Sequence, residues 1–215
     1  MQGIKAVIFD MDGVLIDSEP LWRIAMIQGF NGIGIDFTDE DCRKTTGMRF
    51  KEVVEHWFNH HNITHSTPIQ LNDAVHSCLI DLIHEKGEAM KGALELLDHL
   101  RKKGFPIGLA TSSNHILIEA VLKKTQTTLY FNDITSAEFL QFGKPHPEVF
   151  LKCAANLNIP PENCLVIEDS VNGVKAGKAA GMTVIAVPDK EHWNDERFQI
   201  ADHKLNNLSD VIKLF

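Results

Sequence analysis

The sequence predicts an α/β protein, a parallel sheet flanked by helices with a helical subdomain inserted near its beginning. Three observations carry this. Short continuous apolar runs at Ala6 to Phe9, Phe105 to Ala110 and Cys164 to Ile167 read as strands buried on both faces. From Gly92 onward such runs alternate with helix-length segments, which gives right-handed crossovers between parallel strands. Between residues 18 and 87, by contrast, apolar residues recur at helical spacing and no strand pattern stands out.

The first run ends in two acids, Asp10 and Asp12, and Gly13 relaxes the turn before Val14 to Ile16 resume an apolar stretch. Ser18 then reads as an N-cap, with Pro20 inside the first turn of a helix carrying Leu21, Ile24 and Ala25. Asn31 to Gly34 breaks that helix; this glycine pair follows a helix rather than a strand, so it is no dinucleotide loop. Thr38 starts a short helix expected to end near Gly47. Phe50 to His61, with Val53, Val54, Trp57 and Phe58, and Pro68 to Lys86, with Leu71, Val75, Leu79 and Ile83, complete the helical stretch. His56, His60, His61 and His65 read as solvated, because the carboxylate partners of a metal site are not arranged around them.

The later elements follow in order. Ala93 to Lys103 is a helix closed by Gly104, and the next strand runs into Thr111-Ser-Ser-Asn114 and a helix from His115 to Lys124. Asp133 to Ser136 is a short strand. Gly143 to Pro147 is a turn that opens a helix with Val149, Phe150 and Ala154. The strand at Cys164 ends in Glu168-Asp169-Ser170. Gly173 and Gly177, one turn apart in the helix Val171 to Ala180, cost helix stability and imply close approach to a neighbour. Thr183 to Val187 is a further strand, and Asp202 to Phe215 a tail with a short helix from Ser209.

The chain of 215 residues suits one large domain, or a core with a smaller insertion, expected as a core of residues 1–17 and 88–215 and a subdomain of residues 18–87. A net charge of −8 argues against nucleic acid and anionic membrane partners. Cys42, Cys78, Cys153 and Cys164 are scattered, without a C-x-x-C, and read as reduced thiols of a cytoplasmic protein. The first residues lack the features of a signal peptide, and no apolar run approaches the about 20 residues of a membrane span. A monomer is expected.

The chemistry gathers at strand ends. Asp10 and Asp12 repel one another unless a cation intervenes, and a hard divalent ion such as Mg2+ suits oxygen donors and phosphate. In phosphoryl transfer Asp10 would attack phosphorus, while Asp12 would protonate the leaving alcohol and then activate water. The Thr111 hydroxyl, with the backbone N–H groups of Ser112 and its neighbour, would hold phosphate oxygens at a helix N-terminus. Lys144 would pair with the phosphate and with Asp10. Glu168 and Asp169 would hold Mg2+ with Asp10 and the Asp12 carbonyl. Each group alone has an ordinary structural explanation, as a cap, a solvated lysine or helix-dipole acids; their joint placement beside buried strands is what points to chemistry.

The segments Phe9 to Glu19 (FDMDGVLIDSE), Leu109 to Ser113 (LATSS), Gly143 to Pro147 (GKPHP) and Ile167 to Gly173 (IEDSVNG) resemble the four motifs of the haloacid dehalogenase-like (HAD) hydrolases. The resemblance is to the branch with a helical cap after the first motif and covers nearly the whole chain. It implies a Rossmann-like, three-layer core with a parallel sheet and an inserted four-helix cap. Within that branch Ser18 to Trp22 (SEPLW), Pro145 to Pro147, Cys153 to Ala155 and Asn194 to Phe198 (NDERF) resemble the hexitol phosphatase and 2-deoxyglucose-6-phosphate phosphatase group. The implied substrates are small sugar or polyol phosphates.

In the cap, Ser18, Trp22 and Arg49 are the substrate candidates. Trp22 either stacks on a sugar face or packs the cap, and Arg49 either grips substrate or is a solvated helix-start arginine. The related β-phosphoglucomutases make a sugar phosphomutase the alternative activity, but Trp22 stands where they carry a histidine and the spacing after Gly47 differs. Asp12 argues against carbon–halogen cleavage, which needs no acid for an alcohol. A non-catalytic sugar-phosphate sensor would most simply lack one of Asp10, Asp12, Lys144 or Asp169, and all four are present.

Overall fold

The computed structural model describes residues 1–45 and 48–215. At its centre lies β1 (Ala6–Phe9), buried along its whole length. It pairs in parallel with β2 (Ile107–Thr111) on one side and β4 (Cys164–Glu168) on the other. β3 (Asp133–Ser136) extends the sheet beyond β2, and β5 (Thr183–Ala186) and β6 (His203–Lys204) extend it beyond β4. The order is β3-β2-β1-β4-β5-β6, with every pairing parallel.

The apolar runs are continuous because both faces of the sheet are covered. Side chains alternate between faces along a strand. Val7, Phe9, Leu109, Leu165 and Ile167 pack with α5 (Ala93–Lys102), α6 (His115–Thr125) and α9 (Leu208–Ile212). Ala6, Ile8, Ala110, Val166 and Val184 pack with α7 (Glu148–Asn156) and α8 (Val171–Ala179). Burying each larger apolar side chain stabilises by about 1.5–3 kcal/mol, and slipping one strand by a residue would swap its two faces, so the register is fixed.

Among the described residues five helices lie between β1 and β2; the four ahead of α5 are α1 (Glu19–Gly32), α2 (Asp39–Lys44), α3 (Phe50–His61) and α4 (Pro68–Lys86). Thr38 and Thr67 open α2 and α4 with reciprocal capping boxes to Asp41 and Gln70. Phe30 stacks on Phe37 at 4.1 Å and Trp57 meets Phe37 edge-on at 5.1 Å, and these rings belong to the same apolar cluster as Val7 and Phe9 of the sheet. The outgoing and returning segments pair with each other: Asp17 N donates to Glu88 O at 3.0 Å and Met90 N to Leu15 O at 2.9 Å.

Several expectations are corrected. Ser18 occupies the N-cap position of α1, but its side chain caps nothing because its hydroxyl is spent on Asp12. β2 begins at Ile107, since Pro106 has no N–H to give a ladder. The tail expected after Asp202 contributes β6, and α9 is capped by the Asn207 side chain, which accepts from Asp210 N at 3.0 Å. The expected helix end near Gly47 lies outside the described residues. All four cysteines are free thiols, and no helix among the described residues is long and apolar enough to cross a membrane.

Candidate active site

Parallel register brings the acids together. Phe9 lies opposite Leu109 in β2 and Ile167 in β4, so Asp10, Ala110 and Glu168 leave the sheet side by side. The strand order reverses its direction of growth at β1, the place where open α/β sheets take ligands. A cavity of about 440 Å³ opens there, between this sheet edge and the cap helices α1, α3 and α4.

Lys144 reaches this edge from the loop before α7. Its Nζ donates to Asp10 Oδ1 at 2.6 Å, to Glu168 Oε1 at 2.6 Å and to Ala110 O at 3.2 Å, and stands 4.7 Å above the Phe150 ring. All three hydrogens are thus used. Burial favours loss of the ammonium charge, but the carboxylates of Asp10 and Glu168 outweigh it and hold Lys144 above the ordinary lysine range. Glu168 is fully buried, and its second oxygen accepts from Ser170 N at 2.9 Å and Ser170 Oγ at 3.0 Å.

The excess of acid is on the metal side. Burial pushes Asp10 up to about 7; Glu168 and Asp12 add to the rise, and Lys144 opposes it. Burial, Glu168 and Asp10 likewise push Asp169 well above the usual carboxylate range. Oxygens of Asp10, Glu168 and Asp169 all lie within 4.8 Å of one another. Two buried carboxylates and the half-buried Asp169, facing one ammonium, make a hard, negatively charged oxygen set that fits a divalent ion such as Mg2+. Gly13 makes room for it: its φ is +73°, and a Cβ there would stand 2.0 Å from Asp169 Oδ2. The Asp12 carboxyl is not part of this cluster.

That carboxyl is held apart by three donors. Ser18 Oγ and Trp22 Nε1 donate to Oδ1 at 2.5 Å and 3.1 Å, and Ser113 Oγ donates to Oδ2 at 2.8 Å. Two acids two residues apart therefore have different surroundings: Asp10 pairs with a lysine among carboxylates, and Asp12 rests among neutral donors.

The loop after β2 faces the same cavity. Thr111 Oγ1 accepts from Ser113 N at 3.1 Å, which leaves its own O–H free to donate. The buried Ser112 hydroxyl has no hydrogen-bond partner among the described residues, so a phosphate oxygen in the cavity would satisfy it. Asn114, rather than Thr111 or the serines, caps α6 by accepting from Leu117 N at 2.9 Å.

On the cap side Trp22 lines the cavity, with Phe50 at 5.4 Å and His76 at 5.9 Å between ring centroids. Burial lowers the His76 pKa, which favours the neutral ring. Arg49 also borders the cavity, but its guanidinium donates to Glu52 at 2.5 Å and, across to the core, to Leu140 O at 3.0 Å and Ala137 O at 3.4 Å. The core residues named from the sequence thus converge, and Ser18 and Trp22 meet Asp12 directly. The sequence pattern gives no role to the hydroxyls of Ser113 and Ser170 or to His76. Ser113 follows Thr111 by two residues, the same spacing as Asp10 and Asp12, and that repeated spacing at adjacent strand ends was the available signal.

Comparison with known proteins agrees with this arrangement. Residues 4–181 match the family model described as haloacid dehalogenase-like hydrolase. The chain is 38% identical to hexitol phosphatase B of Escherichia coli K12 over 209 residues, 97% of this chain and 94% of that protein. Among solved structures it resembles a β-phosphoglucomutase from Clostridium difficile (TM-score 0.85, 25% identity, 97% and 93% of the two chains). It also resembles CbbY from Rhodobacter sphaeroides bound to phosphate (TM-score 0.86, 25% identity, 97% and 96%). The family-model match over residues 4–181 and the 38% identity along nearly the whole chain, on this sheet order, lead to one conclusion: the chain belongs to the haloacid dehalogenase-like hydrolases.

Proposed function

We propose that this protein is a Mg2+-dependent phosphatase that hydrolyses small sugar or polyol phosphates, of the hexose or hexitol 6-phosphate type, through an aspartyl-phosphate intermediate. The observation that carries the reading is the division of labour between Asp10 and Asp12. One is a carboxylate at an ammonium, ready to attack phosphorus. The other is a carboxyl oriented by hydroxyl and indole donors, away from the acidic cluster.

An oxygen of Asp10 attacks phosphorus, and the leaving alcohol oxygen takes a proton from Asp12. Asp12, now a carboxylate, draws a proton from the water that attacks the aspartyl phosphate, and Asp10 and inorganic phosphate are released. Thr111 and Ser112 donate to the transferring oxygens, and Lys144 offsets the charge between nucleophile and phosphate. Asp10, Glu168, Asp169 and the Asp12 carbonyl would hold Mg2+, which when bound neutralises phosphate charge. Residues 18–87 act as a cap over the core of residues 1–17 and 88–215, hinged where Ile16 to Ser18 run beside Glu85 to Gly92.

The likeness to hexitol phosphatase B supports a polyol phosphate as substrate. The likeness to a β-phosphoglucomutase keeps phosphomutase as the second reading. Trp22 in place of the mutases' histidine, and the different spacing after Gly47, favour hydrolysis. The test is phosphate release from 2-deoxyglucose 6-phosphate, sorbitol and mannitol 6-phosphates and β-glucose 1-phosphate, with Mg2+ and with chelator. Metal-dependent release, strongest on the 6-phosphates, is expected. Isomerisation of the 1-phosphate with little release would favour the mutase, and no reaction on any ester would contradict both.

A further inference from the structure

We propose that His76 is a specificity-determining residue, whose Nε2–H donates to a hydroxyl of the leaving alcohol on a carbon close to the ester. The inference rests on the reading of the protein as a polyol phosphatase and deepens it. His76 lines the cavity from α4, and its tautomer is set by a chain of hydrogen bonds that starts in the core. Leu117 N donates to Asn114 Oδ1 at 2.9 Å, as the N-cap bond of α6. That bond fixes which end of the Asn114 amide is which. The Nδ2 that stands 3.4 Å from His76 Nδ1 is therefore the donor, and Nδ1 the acceptor. A neutral imidazole that accepts at one nitrogen carries its hydrogen on the other. Burial lowers the His76 pKa, which Asp73 and Glu138 offset only in part, and so favours the neutral ring.

The Nε2–H is then a donor without a partner among the described residues, and it is not sealed from solvent. The ring itself is held. Trp22 and Phe50 stand edge-on to it, with centroids at 5.9 Å and 5.1 Å. The same neighbours locate it relative to the reaction. Trp22 donates to Asp12 Oδ1, and Ser113, next in the chain to Asn114, donates to Asp12 Oδ2. The leaving oxygen must meet that carboxyl, so the part of the alcohol beside His76 is its first carbons. A neutral N–H donor suits a hydroxyl oxygen there. A methylene in the same place leaves the N–H unsatisfied, which is how a site of this kind rejects a deoxy analogue.

The test compares kcat/KM for sorbitol 6-phosphate, its 5-deoxy analogue and its 1-deoxy analogue. Each is taken relative to p-nitrophenyl phosphate, so that loss of folded protein cancels. The native protein should prefer sorbitol 6-phosphate over the 5-deoxy ester about tenfold, the equivalent of one hydrogen bond. In His76→Phe, which keeps an aromatic ring between Trp22 and Phe50, that preference should fall to about twofold or less. The preference over the 1-deoxy ester, altered far from the phosphate, should stay as it is in the native protein. Asn114→Ser, which keeps a helix cap and frees the tautomer, should fall between the two. Ring-nitrogen NMR shifts of His76 give a readout independent of turnover, and a protonated Nε2 with a bare Nδ1 is expected. A preference that His76→Phe leaves intact, or a ring protonated at Nδ1 instead, would overturn the role of His76 alone. No phosphate release from sorbitol 6-phosphate by the native protein would overturn the polyol reading and this proposal with it.

Discussion

A Cβ on Gly173 would stand 1.6 Å from Glu168 Oε1. That oxygen is the one bonded to Lys144, and Ser170 holds the other, so Glu168 cannot turn aside. The glycine in the first turn of α8 therefore preserves the buried carboxylate that fixes Lys144. Gly173→Ala should cost about 1–3 kcal/mol from overpacking, and more if the ion pair breaks, as read from urea unfolding. Turnover should fall with it. Stability equal to that of the native protein would show that Glu168 has room that its partners deny it.

Lys144 is the cation among three carboxylates, and its side chain is 3% exposed. Lys144→Met removes the charge and keeps a similar length. In the absence of Mg2+ this should destabilise by about 3–5 kcal/mol, because Asp10 and Glu168 are left buried without their partner. Added Mg2+ should recover part of the stability and none of the turnover. Differential scanning fluorimetry with a kinetic assay checks both.

Metal and protons compete for Asp10. Its pKa in the folded, metal-free protein is about 7, against an ordinary 3.8. The folded state therefore holds a proton that the unfolded state has released between these values. This group's contribution to metal-free stability is then largest near pH 4 and falls as pH rises to 7. Mg2+ must displace the same proton, so its apparent affinity should weaken from pH 8 to pH 6, with proton release on binding. Calorimetry in two buffers of different ionisation enthalpy measures this. Asp169→Asn should weaken the metal at every pH, and an affinity independent of pH would contradict the placement of Mg2+ at Asp10.

Arg49 joins cap to core through the carbonyls of Ala137 and Leu140, and a Cβ on Gly143 would meet its Nε at 2.6 Å. Arg43 makes a second cap–core contact, with Glu191. Arg49→Ala should loosen the seated cap, with KM rising about threefold to tenfold from the loss of net hydrogen bonds of about 0.5–1.5 kcal/mol each. Amide exchange in residues 137–143 should quicken. An unchanged KM with unchanged exchange would mean that these contacts do not hold the cap.

The strand ends were legible because burial on both faces writes itself as unbroken apolar runs, and parallel pairing then sets Asp10, Thr111 and Glu168 at one edge. Gly173 and Gly177 were legible as close approaches for a similar reason: a glycine costs stability in a helix interior unless something needs the space. β6 was not, since two residues, one exposed and one half-buried, carry no pattern. Nor was the use of Ser18. Its hydroxyl has two possible partners, the helix amides and Asp12, and only the fold of the turn from Met11 to Ile16 decides between them. Arg49 shows the same limit: the carbonyls it binds lie 88 and 91 residues away in sequence.

The most direct test of the central claim is to trap the intermediate. Protein with Mg2+ would be mixed with a hexitol 6-phosphate carrying a radiolabelled phosphoryl group, quenched in acid and digested. Acid-stable, hydroxylamine-labile label on the peptide containing Asp10, absent from Asp10→Asn, is the predicted result. Label on another residue, or rapid phosphate release with no labelled peptide in a time course that covers the first turnover, would contradict Asp10 as the nucleophile.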